Sequence, residues 1–270
     1  MSSLPLVVHD SPHSIVAWCD GSPVTLRRFL AEAHRLAALF PAGNHLLNLC
    51  GDRYRFSVGL AAAILTGKVS LLPSTHTPGV VRQIKAFAHD VFCLTDSDSC
   101  AVDLPQLRYP DMDAVGGADA FLIPYIDVSQ RIAVVFTSGS TGTPQPHVKT
   151  WGGLVSSVQA QAACLGLSRN TRCTMMGTVP PQHMYGFEST VLMAWSNGNA
   201  FCHAQPFYPA DIVQALASVP APRVLVSSPA HLRALLDAEL ELPEVALVVS
   251  ATAPLSKGLR GKSRRCAGLR

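Results

Sequence analysis

No stretch of this 270-residue chain is apolar for long enough to suggest a membrane-spanning helix. The run at residues 58–65 falls far short of the ~20 residues a spanning helix needs, and Lys68 follows it closely. The start, Met1-Ser2-Ser3-Leu4-Pro5, lacks a basic segment ahead of an apolar one, so no secretory signal is expected. Charge is scarce too: 14% charged against 48% hydrophobic residues excludes a disordered chain. Eight cysteines are present but no Cys-x-x-Cys, and ten histidines but no His-x-x-x-His or His/Cys spacing that closes a zinc site. The cysteines are expected to be reduced core thiols of a cytoplasmic protein. Acid is missing from residues 257–270, which carry six of the basic side chains and leave the rest of the chain with 15 basic against 18 acidic groups. The net charge of +3 therefore belongs to the tail. A short Arg/Gly/Lys segment without interleaved aromatics is poor support for a nucleic-acid partner, and none is expected.

Apolar runs suited to buried strands alternate with segments of helical period, which predicts an α/β architecture with largely parallel sheets. Thr25 is placed to cap a helix through Leu26, Phe29, Leu30, Ala33, Leu36, Ala37 and Phe40. A strand is expected at 45–50, a helix at 53–66 ended by Gly67, and strands at 69–72 and 91–94 on either side of a helix at 80–88. Residues 96–130 show no sustained period and read as one long connection. Beyond it a strand at 132–136 is expected to pass through a glycine loop into a helix at 151–165. Strands at 173–176, 200–203, 223–227 and 245–250 follow, alternating with helices near Ser189, Asp211 and Pro229, the last capped by Ser228. The expected division is a first α/β subdomain at 1–128, a second at 129–256 and an unstructured basic tail at 257–270.

The glycine loop is the most informative segment. Thr137, Ser138, Gly139, Ser140, Thr141, Gly142, Thr143 and Pro144 follow directly on the apolar strand. Gly139 and Gly142 let the backbone turn its N–H groups towards an anion, and four hydroxyls on Thr137, Ser138, Ser140 and Thr141 add donors. The segment matches neither the Walker pattern, nor Gly-x-Gly-x-x-Gly, nor the Gly-x-Ser-x-Gly nucleophile elbow. Taken alone, such a polar cluster is more often a surface turn without a ligand.

Three downstream segments change that reading. Pro180-Pro181-Gln182-His183-Met184-Tyr185-Gly186-Phe187 resembles the proline, histidine and aromatic motif of adenylate-forming enzymes. Residues 223–232, with Ser227-Ser228-Pro229, resemble the strand and proline-started helix that follow it. Ser250-Ala251-Thr252-Ala253-Pro254 is similar to the turn those enzymes usually write Ser-Gly-Gly-Ala-Pro. In this order the four segments resemble the superfamily of acyl-CoA synthetases, aryl-acid ligases, luciferases and peptide-synthetase adenylation domains. The resemblance implies activation of a carboxylic acid by ATP to an acyl-adenylate, with pyrophosphate released. The acyl group then passes to the thiol of CoA or of a carrier protein's phosphopantetheine. It implies that residues 137–143 hold the β- and γ-phosphates with Mg2+, that His183, Tyr185 and Gly186 border the acyl pocket, and that Ser250, Ala251, Thr252, Ala253 and Pro254 lie on the adenine side. The Pro144-Gln145-Pro146-His147 stretch resembles ligases of aryl-polyene or fatty-acyl assembly lines.

The pattern is also departed from. Gln145 stands where the family usually has lysine, and an amide supplies no cation; Lys149 is the substitute candidate for the phosphates. Members of the family typically run to about twice this length, and no Tyr-Gly-x-Thr-Glu motif, ribose-binding aspartate or lysine-bearing C-terminal domain is found here. No catalytic residue is assigned, Glu188 has no evident partner, and Trp151 reads as packing. The Arg/Gly-rich end predicts a frameshifted or truncated product with poor solubility, because a sheet cut part-way leaves an unpaired edge. A non-catalytic nucleotide- or partner-binding half-domain and a basic-tailed nucleic-acid binder are the alternatives.

Overall fold

The structure, a computed structural model, describes residues 2–112, 121–137, 145–167 and 171–254. In chain order the elements are β1 (Ser3–Pro5), β2 (Ile15–Cys19), β3 (Ser22–Thr25), α1 (Leu26–Leu39), β4 (His45–Asn48), α2 (Arg53–Leu65), β5 (Val69–Leu72) and α3 (Pro78–Phe87). Then come β6 (Val91–Thr95), β7 (Gln106–Arg108), β8 (Tyr125–Asp127), β9 (Arg131–Thr137), β10 (Gln145–Thr150), α4 (Trp151–Cys164) and β11 (Thr174–Gly177). A helix follows in three joined parts: α5 (Met184–Gly186), a π-helical stretch (Phe187–Leu192) and α6 (Met193–Asn197). The last elements are β12 (Ala200–Cys202), α7 (Pro209–Ala217), β13 (Arg223–Ser227), α8 (Pro229–Asp237) and β14 (Leu247–Ser250).

Two six-stranded sheets organise the fold, in the orders β10-β9-β5-β4-β6-β7 and β14-β13-β11-β12-β2-β3. Every pairing within them is parallel except β10 on β9 and β3 on β2, both at edges. The mixed α/β class with parallel sheets is as expected. Local chemistry fixes the helices: the Thr25 hydroxyl accepts the Arg28 N–H at 3.3 Å, and Leu26, Phe29, Leu30, Ala33 and Leu36 bury one face of α1. Gly67, with φ +68, ends α2, and Ser228 caps α8 at 3.3 Å with Pro229 in its first turn. Almost every residue of α2 is buried, the signature of a helix enclosed on all sides. Trp151 is fully buried and its indole N–H donates to Leu4 O at 3.3 Å, so it packs as expected.

The division at residue 128 does not match the sheets. β9 and β10, from beyond that point, complete the first sheet, and β2 and β3, from the N-terminal region, close the second. The apolar β9 pairs with β5, burying residues 132–135, so the chain returns to the first sheet before it builds strands β11 to β14 of the second. Two strands also interrupt the long connection of residues 96–130, β7 pairing with β6 and β8 with β1. The β2–β3 hairpin turns on Asp20 (φ 48) and Gly21 (φ +75), an Asp-Gly pair in the backbone region such tight turns demand. β10 lies where the loop was expected to lead straight into a helix. Residues 145–148 are exposed on an edge and include Pro146, so no alternating apolar pattern announces the strand. The tail at 257–270 lies outside the described residues.

Among the described residues no helix is long and apolar enough to cross a membrane. No cluster of three metal-ligating side chains occurs among them, and their seven cysteines are free thiols. Cys50, Cys93, Cys173 and Cys202 are buried as expected, whereas Cys164 is exposed.

Candidate active site

In open parallel sheets the crevice for ligands forms beyond the carboxyl ends of the strands, where loops from neighbouring strands part. Here two such ends face one another. After β4, residues 50–52 turn into α2, and Asp52 caps that helix by accepting the Arg55 N–H at 2.9 Å. The Gly51 and Asp52 N–H groups donate to the two oxygens of Asp96, at 2.9 and 3.0 Å. A carboxylate from the end of β6 thus already occupies this helix start, which leaves those N–H groups unavailable to a phosphate.

Arg53 joins the two sheets. It is fully buried, and its guanidinium donates to Cys202 O at 3.1 Å, Gly177 O at 2.8 Å, Val179 O at 3.1 Å and Ala204 O. Those carbonyls belong to the carboxyl ends of β11 and β12, so a side chain of the first layer pins the strand ends of the second. Burial lowers the Arg53 pKa to about 10, which still leaves it charged at neutral pH. No spacing rule singles out one arginine at a helix start, and only the fold reveals its carbonyl partners.

Beyond β11, residues 178–183 carry the proline and histidine motif. Gln182 Nε2 donates to Cys50 O at 2.6 Å, and the His183 N–H to Pro180 O at 3.1 Å. His183 is exposed and borders a cavity of about 480 Å3, with Gly51, His76, Thr95, Gln182 and Gln205 also in its wall. Burial, and then the neighbouring His183, hold His76 below its ordinary pKa. Gly186 is buried with its Cα against Pro180 O, where a Cβ would overlap the oxygen. The Tyr185 hydroxyl, half-buried, donates to Val249 O at 3.0 Å and Ser227 O at 3.2 Å. It braces the ends of β13 and β14, and burial pushes its pKa up to about 12. Of the three acyl-pocket candidates, His183 therefore faces the cavity, while Tyr185 and Gly186 shape the backbone behind it.

Ser250 ends β14 opposite Ser227, and its hydroxyl is buried without a hydrogen-bond partner. Ala251 is half-buried, and Thr252, Ala253 and Pro254 are exposed. Thr252 has φ 80, a left-handed backbone where the resembling turn carries glycine. A β-branched residue is strained there, by about 1–3 kcal/mol. Thr252→Gly is expected to raise the unfolding free energy by about 1 kcal/mol, read from a chemical denaturation midpoint.

Of the proposed phosphate contacts, Thr137 ends β9 at its carboxyl end, and Ser138, Gly139, Ser140, Thr141, Gly142 and Thr143 lie outside the described residues. Lys149 is placed differently from what its nearness in sequence suggests. β10 runs back along β9 with Gln145 opposite Thr137 and Lys149 opposite Ala133, about 13 Å further down the strand. There Lys149 acts electrostatically on Glu188, which also accepts from Gln161 Nε2 at 3.5 Å. Glu188 thus has a hydrogen-bond partner and a nearby cation that sequence reasoning missed, and burial pushes its pKa up against both.

A further charged device lies at the end of β12. His203 Nδ1 stands 2.5 Å from Asp52 Oδ2, and its Nε2 3.3 Å from Asp20 Oδ1. The hydrogen bond to Asp52 raises the His203 pKa against the effect of burial. For Asp52 burial acts upward, but the bonds from His203 and the Arg55 N–H outweigh it and leave the pKa lowered. The His203 contribution to stability is therefore complete below about pH 6.5 and lost as pH rises through its raised folded value; that of Asp52 is lost as pH falls below about 4. Both contributions are complete only between these limits. His203→Gln should flatten the alkaline fall, whose slope for one proton is at most about 1.4 kcal/mol per pH unit, in melts across pH 5–9.

Residues 70–269 match the family model described as AMP-binding enzyme. The chain belongs to that family. A 4-coumarate--CoA ligase from Halorhodospira halophila is 35% identical over 127 residues, covering 46% of this chain and 29% of the relative. The 4-coumarate--CoA ligase 4 of Arabidopsis thaliana is 23% identical over 300 residues, covering 97% of this chain and 51% of the relative. Among solved structures, o-succinylbenzoate CoA synthetase (MenE) from Bacillus subtilis, in complex with its acyl-adenylate intermediate, superposes with TM-score 0.79 at 17% identity, covering 98% of this chain and 57% of that one. ATP-bound MatB from Rhodopseudomonas palustris gives TM-score 0.76 at 17% identity, covering 96% and 56%. The fold is that of the N-terminal part of these enzymes. The chain spans 29% to 51% of the two curated relatives and a little over half of the two solved ones.

Proposed function

We propose that this chain carries the ATP- and carboxylate-binding part of an AMP-forming carboxylate ligase. The reaction joins a small acyl or aryl acid to AMP, and the adenylate then acylates the thiol of CoA or of a carrier-protein phosphopantetheine. The observation that carries this reading is the tie between two of the sequence segments: Tyr185, two residues on from the cavity-lining His183, donates to Val249 O at the end of β14. Strand β9 delivers Thr137 at its carboxyl end, the segment after β11 brings His183 to the cavity, and β14 ends in the Ser250–Pro254 turn. Phosphoryl transfer asks for positioning and charge neutralisation more than for a covalent protein group, which suits a site without an assigned nucleophile. The unpartnered Ser250 hydroxyl fits a polar atom of a nucleotide, since a buried hydroxyl without a partner is costly. Mg2+ would neutralise the β- and γ-phosphates held by residues 137–143. The thiol acceptor is supported by relatives whose names include CoA ligases and a nonribosomal peptide synthetase of Aspergillus rugulosus.

Titration calorimetry with Mg-ATP, beside pyrophosphate release over a panel of aryl and short aliphatic acids, tests the reading. ATP binding with acid-dependent release is the expected outcome. Binding without release overturns the ligase reading for this chain and leaves a nucleotide-binding module. Absence of ATP binding overturns both. Lys149→Ala in the same titration assigns Lys149: unchanged affinity removes it from the phosphate contacts.

A further inference from the structure

The segment that presents His183 is tied down from the first sheet at two places. The Arg53 guanidinium reaches Gly177 O at 2.8 Å and Val179 O at 3.1 Å, the carbonyls on either side of Thr178. Three residues later, Gln182 Nε2 reaches Cys50 O at 2.6 Å. Cys50 and Arg53 belong to the same turn, so both ties converge on the start of α2. On the far side of His183 the chain is held again, with Gly186 against Pro180 and the Thr190 hydroxyl donating to Gly186 O.

We infer that Arg53 and Gln182 are positioning residues which set where His183 stands against the carboxylic acid. Arg53 cannot touch a ligand, because it is fully buried and its two terminal nitrogens are taken up by main-chain oxygens. A lysine in its place could not hold both carbonyl pairs, since an ammonium lacks the planar fork. Gln182 is half-buried in the cavity wall, and shortening it removes one tie without opening the core. Small displacements of positioning groups cost much in reactions that depend on orientation, up to about 100-fold for 1 Å.

This inference rests on the proposed carboxylate ligase, and the experiment separates the two. Gln182→Ala and Arg53→Lys are compared with the unaltered chain by melting, by ATP titration, by acid-dependent ATP–pyrophosphate exchange and by hydrogen exchange over residues 180–187. For Gln182→Ala the expected result is a KM for the acid raised about tenfold, with ATP affinity and melting temperature unchanged. Amide exchange confined to residues 180–187 should quicken in both variants. Unchanged exchange in both variants overturns the inference, as does a parallel loss of acid binding, ATP binding and melting temperature. If the unaltered chain shows no acid-dependent exchange, the ligase reading fails, and the local amide exchange still decides whether the two ties hold this segment.

Discussion

Arg53→Met is expected to destabilise the protein by on the order of 3–5 kcal/mol, because four main-chain carbonyls lose one buried donor group at once. Methionine approximates the stem of the side chain but donates nothing. The carbonyls of Gly177, Val179, Cys202 and Ala204 would lose their guanidinium donors. Each buried acceptor left unpaired costs about 1–3 kcal/mol, offset in part because the charge need no longer be desolvated. The loss also falls on the contact between two layers, so β11 and β12 should loosen together at their carboxyl ends. Urea unfolding measures the change directly. In a chain of this size a fall in melting temperature of about 10 °C is expected. Arg53→Lys should lose less than Arg53→Met, and a melting temperature for Arg53→Met within 2 °C of the unaltered chain, a shift of roughly 1 kcal/mol, would contradict the clamp.

Gly186→Ala is the second large effect. An added methyl would overlap Pro180 O, and it would lie 2.8 Å from Pro180 C and 3.0 Å from Val179 O. All three are main-chain atoms, so no flexible side chain can swing aside. The backbone at residues 179–186 must shift, at a cost of about 1–3 kcal/mol for overpacking. Because that backbone carries His183, acid-dependent pyrophosphate exchange should fall roughly tenfold or more, ahead of any loss of ATP affinity. Gly79→Ala is the control. Its nearest neighbour to an added methyl is the Arg82 Nη2 atom at 3.9 Å, and in helix α3 the change should be neutral or stabilising by up to about 1 kcal/mol.

The parts of the fold legible in the sequence are those with a local cause. Caps at Thr25 and Ser228, the stop at Gly67, the proline start of α8 and the apolar strands β5 and β13 all act within a few residues of themselves. The strands that escaped notice, β1, β3, β7, β8 and β10, carry too few buried positions to show a period. β2 is more apolar, but its place came from a tight Asp-Gly turn and from pairing with β12, formed much later in the chain. Sheet membership is decided by pairing across long separations, which leaves no mark in a window of ten residues.

The candidate site divides the same way. Its family motifs were readable because close backbone approach, as at Gly186, restricts the residue type at a fixed spacing. Lys149 lies further from Thr137 than its place in the sequence suggests, because four residues along a strand extend about 13 Å, whereas four along a loop can stay together. Glu188 seemed unpartnered because Gln161 and Lys149 lie on other elements.

By itself the sequence determined the α/β class, the local helix boundaries and membership of the AMP-binding family, all carried by short-range pattern. Tertiary structure alone decided that β9 returns to the first sheet, that Tyr185 braces strand ends, and that Arg53 fastens one layer to the other. The physical reason is that a buried guanidinium is specified by the carbonyls it must satisfy. Here these stand at residues 177, 179, 202 and 204, more than a hundred positions from the arginine that binds them.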